Sequence, residues 1–109
     1  MAIESGATFT DESLLVDTDG EPIDLTGYTA RMAIKETIDA DEVALLLTTE
    51  NSRIIITPAT GSVLLYLSDA ETAAFNIDRG VYDVELIQPG GEVMRLMQGD
   101  VTIDQNVTV

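Results

Sequence analysis

The chain has 109 residues, the size of one domain, so a single core built from residues 1–109 is predicted. Its 20 acidic and five basic residues give a formal net charge of -15, which disfavours binding to nucleic-acid phosphates or to anionic lipid. Cysteine and histidine are absent, which excludes disulfides, zinc sites built from those residues, and catalysis by a Cys or Ser–His nucleophile.

The apolar runs are too short for a membrane-spanning helix. Residues 43–47 and 54–56 fall far below the roughly 20 residues that a helical span needs. Residues 1–16 contain acidic side chains and no basic segment ahead of an apolar stretch, which argues against a secretory signal peptide. We therefore expect a soluble protein.

The dominant periodicity is two, as in β-strands with one buried and one solvated face. Apolar and β-branched runs predict strands at residues 7–16, 28–35, 43–48, 53–57, 62–67, 81–87 and 92–104. The residues predicted to be buried are Tyr28, Met32, Ile34, Leu65, Tyr82, Val84 and Leu86.

Turn-forming residues separate these strands, which favours antiparallel hairpins. The clearest turn is Pro89-Gly90-Gly91, because glycine tolerates the positive φ that a tight reversal requires. We expect the last two strands to lie side by side.

One segment departs from strand periodicity. Ser68 and Glu71 have the spacing of a capping box, in which each side chain accepts a hydrogen bond from the backbone amide of the other residue. This spacing predicts a short helix near residues 69–75 that bridges two sheets at one end, with Phe75 or Ile77 filling the core beneath it.

The final strand contains two phases, because Met94 and Leu96 have one parity and Val101 and Ile103 have the other. A β-bulge at Gln98–Gly99 would let both pairs face the core, whereas an unbroken strand would place only one pair there. We favour the bulge. Taken with the turns and the short helix, these strands predict an all-β, immunoglobulin-like antiparallel β-sandwich of about seven or eight strands, without the disulfide and Trp of true immunoglobulin domains.

Carboxylates are the abundant chemical groups, and two of them at a suitable separation can hydrolyse a glycosidic bond. Sugar sites also use aromatic platforms, whereas this chain has no Trp and only three Tyr and two Phe, most of them at core positions. We therefore expect no enzyme, no catalytic residue and no cofactor.

Two acidic segments invite a calcium interpretation. Counted from Asp17, the positions where an EF-hand loop needs Gly and a bidentate acid are Pro22 and Tyr28, so residues 17–21 are better interpreted as an acidic turn. Residues 39–42 could bind a cation weakly or simply keep the molecule soluble, and the solvated loop is favoured. We predict no metal site.

Two predicted strands are apolar on both faces. In residues 62–67, Leu64 and Tyr66 have the parity opposite to the core residues, and residues 54–56 are three consecutive isoleucines. A sandwich strand needs only one buried face, so the surplus implies either cover from a loop or helix or a contact with another chain. The candidate protein contact consists of Ile55, Leu64 and Tyr66.

The negative charge allows one further function, imitation of a phosphate backbone in the basic groove of a nuclease or another nucleic-acid enzyme of the host. The acids, however, are spread over nearly every turn and strand, and charge of one sign also serves solubility. This acidic DNA-mimic inhibitor is kept as the alternative.

Residues 20–32, with the sequence Gly-Glu-Pro-Ile-Asp-Leu-Thr-Gly-Tyr-Thr-Ala-Arg-Met, resemble a segment of small proteins encoded in phage and prophage tail regions. Similar segments follow at residues 47–51, 67–68, 72–74, 82–86 and 95–101, so the resemblance covers nearly the full length. The chain is also similar, more distantly, to the N-terminal immunoglobulin-like domain of phage baseplate upper proteins, in which an Asp-Leu-Thr-Gly turn precedes a strand.

The resemblance implies a non-enzymatic structural or assembly protein of a phage or prophage virion, associated with the tail or baseplate. Its expected location is the virion, and the host cytoplasm during assembly. Its expected partners are other virion proteins and further copies of the chain itself, with neither nucleic acid nor membrane among them.

Overall fold

Alternating apolar residues form two β-sheets in the computed structural model, which describes residues 1–105. The strands within this range are β1 (Ala2–Glu4), β2 (Phe9–Leu14), β3 (Thr29–Lys35), β4 (Leu45–Thr48), β5 (Ile54–Thr57), β6 (Ser62–Leu67), β7 (Arg79–Ile87) and β8 (Val93–Asp104). A 3-10 turn, Pro58–Thr60, precedes β6, and the helix α1 (Asp69–Ala73) follows it. All seven predicted strands are confirmed, and β1 is an addition.

The large sheet has the strand order β1-β8-β7-β3-β4, and the small sheet has the order β2-β6-β5. Neighbouring strands are antiparallel except for β1, which pairs with β8 in parallel. The all-β sandwich is therefore confirmed, as is the hairpin between β7 and β8. Strand β1 escaped prediction because three residues with one buried side chain, Ile3, are too short to show a period.

The inner faces of the two sheets enclose one hydrophobic core. Of the residues predicted to be buried, Met32, Ile34, Leu65, Val84 and Leu86 are confirmed. The two tyrosines, Tyr28 and Tyr82, pack against this core but are only half-buried. The prediction of burial was wrong for them, because an inward strand parity does not by itself cover the whole of a large ring with a polar tip.

The helix has the predicted cap. Ser68 Oγ accepts from the Glu71 amide at 3.2 Å, and Glu71 Oε1 accepts from the Ser68 amide at 3.0 Å. The segment connects β6 of the small sheet to β7 of the large sheet, and Phe75 and Ile77 both pack against the core beyond it. Within residues 1–105 no helix is long and apolar enough to cross a membrane.

Strand β8 changes register two residues away from the predicted position. Val84 pairs with Met97 and Glu85 pairs with Arg95, so Leu96 is the extra residue. The ladder is regular at Gln98–Gly99, and the predicted position of the bulge was wrong. The shift leaves Val101 and Ile103 buried, whereas Met94 remains 46% exposed.

Candidate functional site

The outer face of the small sheet carries an unusual set of apolar side chains. Strand β6 is the central strand, and it directs Val63, Leu65 and Leu67 into the core. Its other face therefore presents Leu64 and Tyr66 outward. The register places Ile55 of β5 beside Leu64, and Leu14 of β2 beside Ser62, one pair further along the same face. We refer to Leu14, Ile55, Leu64 and Tyr66 as the apolar strip.

Most of the strip is open to solvent. Leu14 is 61% exposed, Ile55 46% and Tyr66 36%, while Leu64 between them is half-buried. No loop or helix of residues 1–105 buries Leu14, Ile55 or Tyr66. Intramolecular cover, one of the two explanations for the two-faced strands, therefore does not account for these side chains. A contact with another chain stays a prediction.

Leu14 is a member of the strip that the sequence prediction missed. Strand β2 presents Thr10, Glu12 and Leu14 on its outer face, a set with only one apolar residue. The position of Leu14 within the predicted strand 7–16 could have revealed that its side chain points outward. Its neighbours on β6 could not be inferred, because they depend on the pairing of strands about fifty residues apart in sequence.

Polar groups border the strip. Glu12, paired with Leu64, accepts a hydrogen bond from Ser62 Oγ through Oε2 at 2.7 Å. At the other end lies Arg53, whose backbone carbonyl accepts from the Tyr66 amide. The side chain of Arg53 forms an ion pair with Glu71 of α1. The carboxyl pKa of Glu71 lies below its ordinary value, mainly because the Ser68 amide donates to it and partly because of Arg53. An apolar centre with charged groups at its margins is typical of a protein contact surface.

The outer face of the large sheet has a different composition. Arg31 pairs with Glu85 at 2.7 Å, and Arg95 lies 3.9 Å from Asp83. A groove of about 500 Å³ opens on this face and is lined by residues that include Lys35, Asp83, Arg95 and Asp100. Charges of both signs line the groove, so it offers no field of one sign to a charged ligand.

The two acidic segments lie in exposed connections between strands. Asp17 Oδ1 accepts from the amides of Asp19 and Glu21, at 2.9 and 3.0 Å, and so stabilises the turn. Residues 39–42 lie in the loop between β3 and β4, and three of the four are exposed. Across residues 1–105 no three Asp or Glu side chains are arranged to hold a metal ion.

The turn that carries the phage resemblance, residues 24–28, has a clear structural role. Asp24 Oδ1 accepts from the hydroxyl and the amide of Thr26, at 2.6 and 3.0 Å, and both bonds lower the pKa of Asp24. Leu25 is buried. Gly27 has φ +82, and a Cβ there would lie 2.9 Å from Pro89 Cγ. The motif therefore fixes the entry into β3.

No protein-family model matches the chain, and a search of curated proteins finds no match. Among solved structures, the fold is similar to the N-terminal domain of phage TP901-1 ORF48, with a TM-score of 0.54 and 13% identity over 94% of this chain and 82% of that one. Extracellular domains 3–5 of Drosophila OTK align with a TM-score of 0.38 and 12% identity, over 94% of this chain and 32% of that one. The first likeness shows a shared fold, and the second is too weak to support an argument.

Proposed function

We propose that the chain is a non-enzymatic structural or assembly protein of a phage or prophage virion, associated with the tail or baseplate. The apolar strip is its contact with another virion protein or with further copies of the chain. The observation that carries the proposal is the exposure of the strip, with Leu14, Ile55 and Tyr66 open to solvent on one sheet face. The likeness in fold to a domain of a phage protein supports it.

The strip is large enough to help assembly and small enough to leave a soluble free monomer. At roughly 25 cal/mol per Å² of apolar surface, covering these side chains contributes a few kcal/mol. Association also costs translational and rotational freedom, so such a contact is weak in dilute solution. It becomes effective where copies are held close together, as in a growing particle.

The proposal assigns the chain to the virion, and to the host cytoplasm during assembly, with neither nucleic acid nor membrane as a partner. The net charge of -15 supports this assignment, because phosphate surfaces would repel it. The lack of Cys and His supports a non-enzymatic role, and the carboxylates of Asp17 and Asp24 are engaged in turn hydrogen bonds.

The alternative, an acidic DNA mimic, is less well supported. A mimic needs a continuous acidic face to enter a basic groove. On the large sheet, Arg31 and Arg95 interrupt the acids and pair with Glu85 and Asp83. On the small sheet, the outer face is apolar at its centre. Neither face presents an unbroken row of carboxylates.

The decisive experiment replaces Leu64 and Tyr66 by Ser and follows the variant into particles from an induced lysate. We expect nearly unchanged folding, because both residues lie on the outer face, and a severalfold loss of the chain from purified particles. The matched control replaces Arg31 and Glu85 by Ser on the other outer face, and it should be incorporated normally. Unfolding of the first variant would make Leu64 and Tyr66 core residues, and normal incorporation would exclude the strip as the contact.

A further inference from the structure

A sandwich of two open sheets has four edge strands, which here are β1, β4, β2 and β5. The outward N–H and C=O groups of an edge strand can pair with another chain, so folded proteins usually protect them. Three of the four edges are protected or very short in this molecule, and β2 is neither.

The edge of β4 is blocked by a side chain. Its outward groups belong to Leu46 and Thr48, and Asn51 engages both of them. Asn51 Oδ1 accepts from the Thr48 amide at 2.9 Å, and Asn51 Nδ2 donates to the Leu46 carbonyl, also at 2.9 Å. Arg53 Nη1 approaches the same carbonyl at 3.4 Å. The side-chain amide takes the place of a further strand.

The other two edges offer little to a partner. Strand β1 has three residues. On β5, the amides and carbonyls of Ile54 and Ile56 point away from β6, but Ile54 is only 1% exposed and Ile56 is half-buried. A second strand could not approach the whole of β5 without displacing its cover.

Strand β2 has six residues, and all of them pair with β6 on one side. The bond from the Leu15 amide to the Gly61 carbonyl fixes the phase, so residues of odd number bond to β6. The amides and carbonyls of Thr10, Glu12 and Leu14 therefore point to the open side. All three residues are exposed, and within residues 1–105 these backbone groups make no hydrogen bond.

We propose that the open edge of β2 is a strand-addition site for an extended segment of a different protein, one that alternates apolar and basic residues. That the segment belongs to a virion protein rests on the proposed function, whereas the edge itself does not. Added beside β2, the segment would widen the small sheet to four strands. With a basic residue opposite Glu12, the basic side chains of the segment would share that outer face, and its apolar side chains would lie on the inner face beside the core.

Charge decides between a different protein and a second copy. Strand β2 contains Asp11 and Glu12 and no basic residue. Pairing two copies around Glu12 would place two carboxylates directly opposite each other, which is unfavourable, and each copy carries a net charge of -15. A Lys or Arg opposite Glu12 removes that repulsion.

The test uses a synthetic probe, a nonapeptide of alternating valine and lysine with blocked ends, and measures amide hydrogen exchange of the full chain. In the free protein the amides of Thr10, Glu12 and Leu14 should exchange fast, while those of Asp11 and Ser13 are protected. The peptide should slow the exchange of the first three. The same peptide with glutamate in place of lysine should bind at least tenfold more weakly.

Two variants test whether the outward backbone amide of residue 12 takes part in binding the peptide. Glu12→Pro removes the outward amide without removing a bond to β6, and Glu12→Ala removes the same carboxylate but keeps the amide. We expect the proline variant to bind the lysine peptide about tenfold more weakly than the alanine variant, the effect of roughly one hydrogen bond. Should the proline variant not fold, the unmodified protein with a lysine peptide N-methylated at alternate residues gives the same comparison.

Equal binding of the N-methylated peptide, or no protection at Thr10, Glu12 and Leu14, would overturn the proposal. A concentration-dependent dimer that Glu12→Pro abolishes would identify a second copy as the occupant and overturn it as well. The peptide assay is independent of particle incorporation. If the peptide protects the β2 amides but the chain has no role in particles, the proposed function alone fails. If the chain is incorporated into particles but the peptide gives no protection, the edge site alone fails.

Discussion

The two sheets bury similar inner faces but differ in their outer faces. The large sheet presents Arg31, Glu85, Asp83 and Arg95, which form ion pairs across neighbouring strands. On the small sheet, the outward-facing positions carry the apolar strip instead. Alternation accounts for both inner faces, since each supplies the core, but it does not account for an apolar outer face. This difference is the reason that the proposed contact is placed on the small sheet.

The largest expected effect separates the inner and outer faces of β6. Leu65→Ala should destabilise the protein by about 2 to 5 kcal/mol, because Leu65 is buried at the centre of the small sheet. Leu64→Ala, one residue away on the outer face, should cost about 1 kcal/mol or less. Urea unfolding of the two purified variants measures the difference. Equal costs would mean that the outer face is covered and belongs to the core.

The next effect concerns the protected edge of β4. Asn51→Ala should cost about 1 kcal/mol through its lost hydrogen bonds and should expose the outward groups of Leu46 and Thr48. Light scattering at an ionic strength that screens the net charge should then show self-association. Asn51→Asp keeps the acceptor for Thr48 and loses the donor to Leu46, so its effect should be intermediate. A monomeric Asn51→Ala variant of unchanged stability would contradict the role of this side chain.

Part of the fold and of the apolar strip could be predicted from local patterns in the sequence. The strands and the capping box at Ser68 and Glu71 followed from local patterns, because period and spacing act over a few residues. The outward exposure proposed for Ile55, Leu64 and Tyr66, the candidate contact residues, followed from strands that are apolar on both faces. Each of these inferences needs only neighbours in the chain.

What escaped prediction depends on strand pairing. Leu14 joins the strip because β2 pairs with β6, and Asn51 protects an edge because its loop turns back along β4. The bulge lies at Leu96 and not at the predicted Gln98–Gly99, because the register with β7 decides which residue is extra. No local pattern contains this information, since it arises from residues distant in sequence.

A smaller effect lies at the border of the strip, where Glu71 caps α1 and pairs with Arg53. Its lowered pKa means that the folded protein prefers the ionised carboxylate, so its contribution is present above the ordinary value of 4.5 and is lost as the pH falls through the lowered pKa. Glu71→Ala should cost about 1 kcal/mol at pH 7.

Glu71→Gln separates charge from capping, because glutamine can still accept from the Ser68 amide. Its stability difference from the unmodified protein should be present at pH 7 and shrink in acid, measured by urea unfolding at several pH values. The other carboxylates are the same in both proteins, so the difference isolates Glu71. A difference that does not change with pH would assign the effect to capping alone.

The smallest effect is expected on the charged outer face, at the pair Arg31 and Glu85. The two groups lie 2.7 Å apart, but the side chain of Arg31 is 50% exposed, so water and salt weaken their attraction. A double-mutant cycle of Arg31→Ser, Glu85→Ser and the double variant should give a coupling of about 0.2 to 1 kcal/mol that falls as salt is raised. The same double variant is the control for incorporation into particles. A coupling well above that range, insensitive to salt, would mean that the pair is shielded from water, and the large sheet would then become a candidate contact face in its own right.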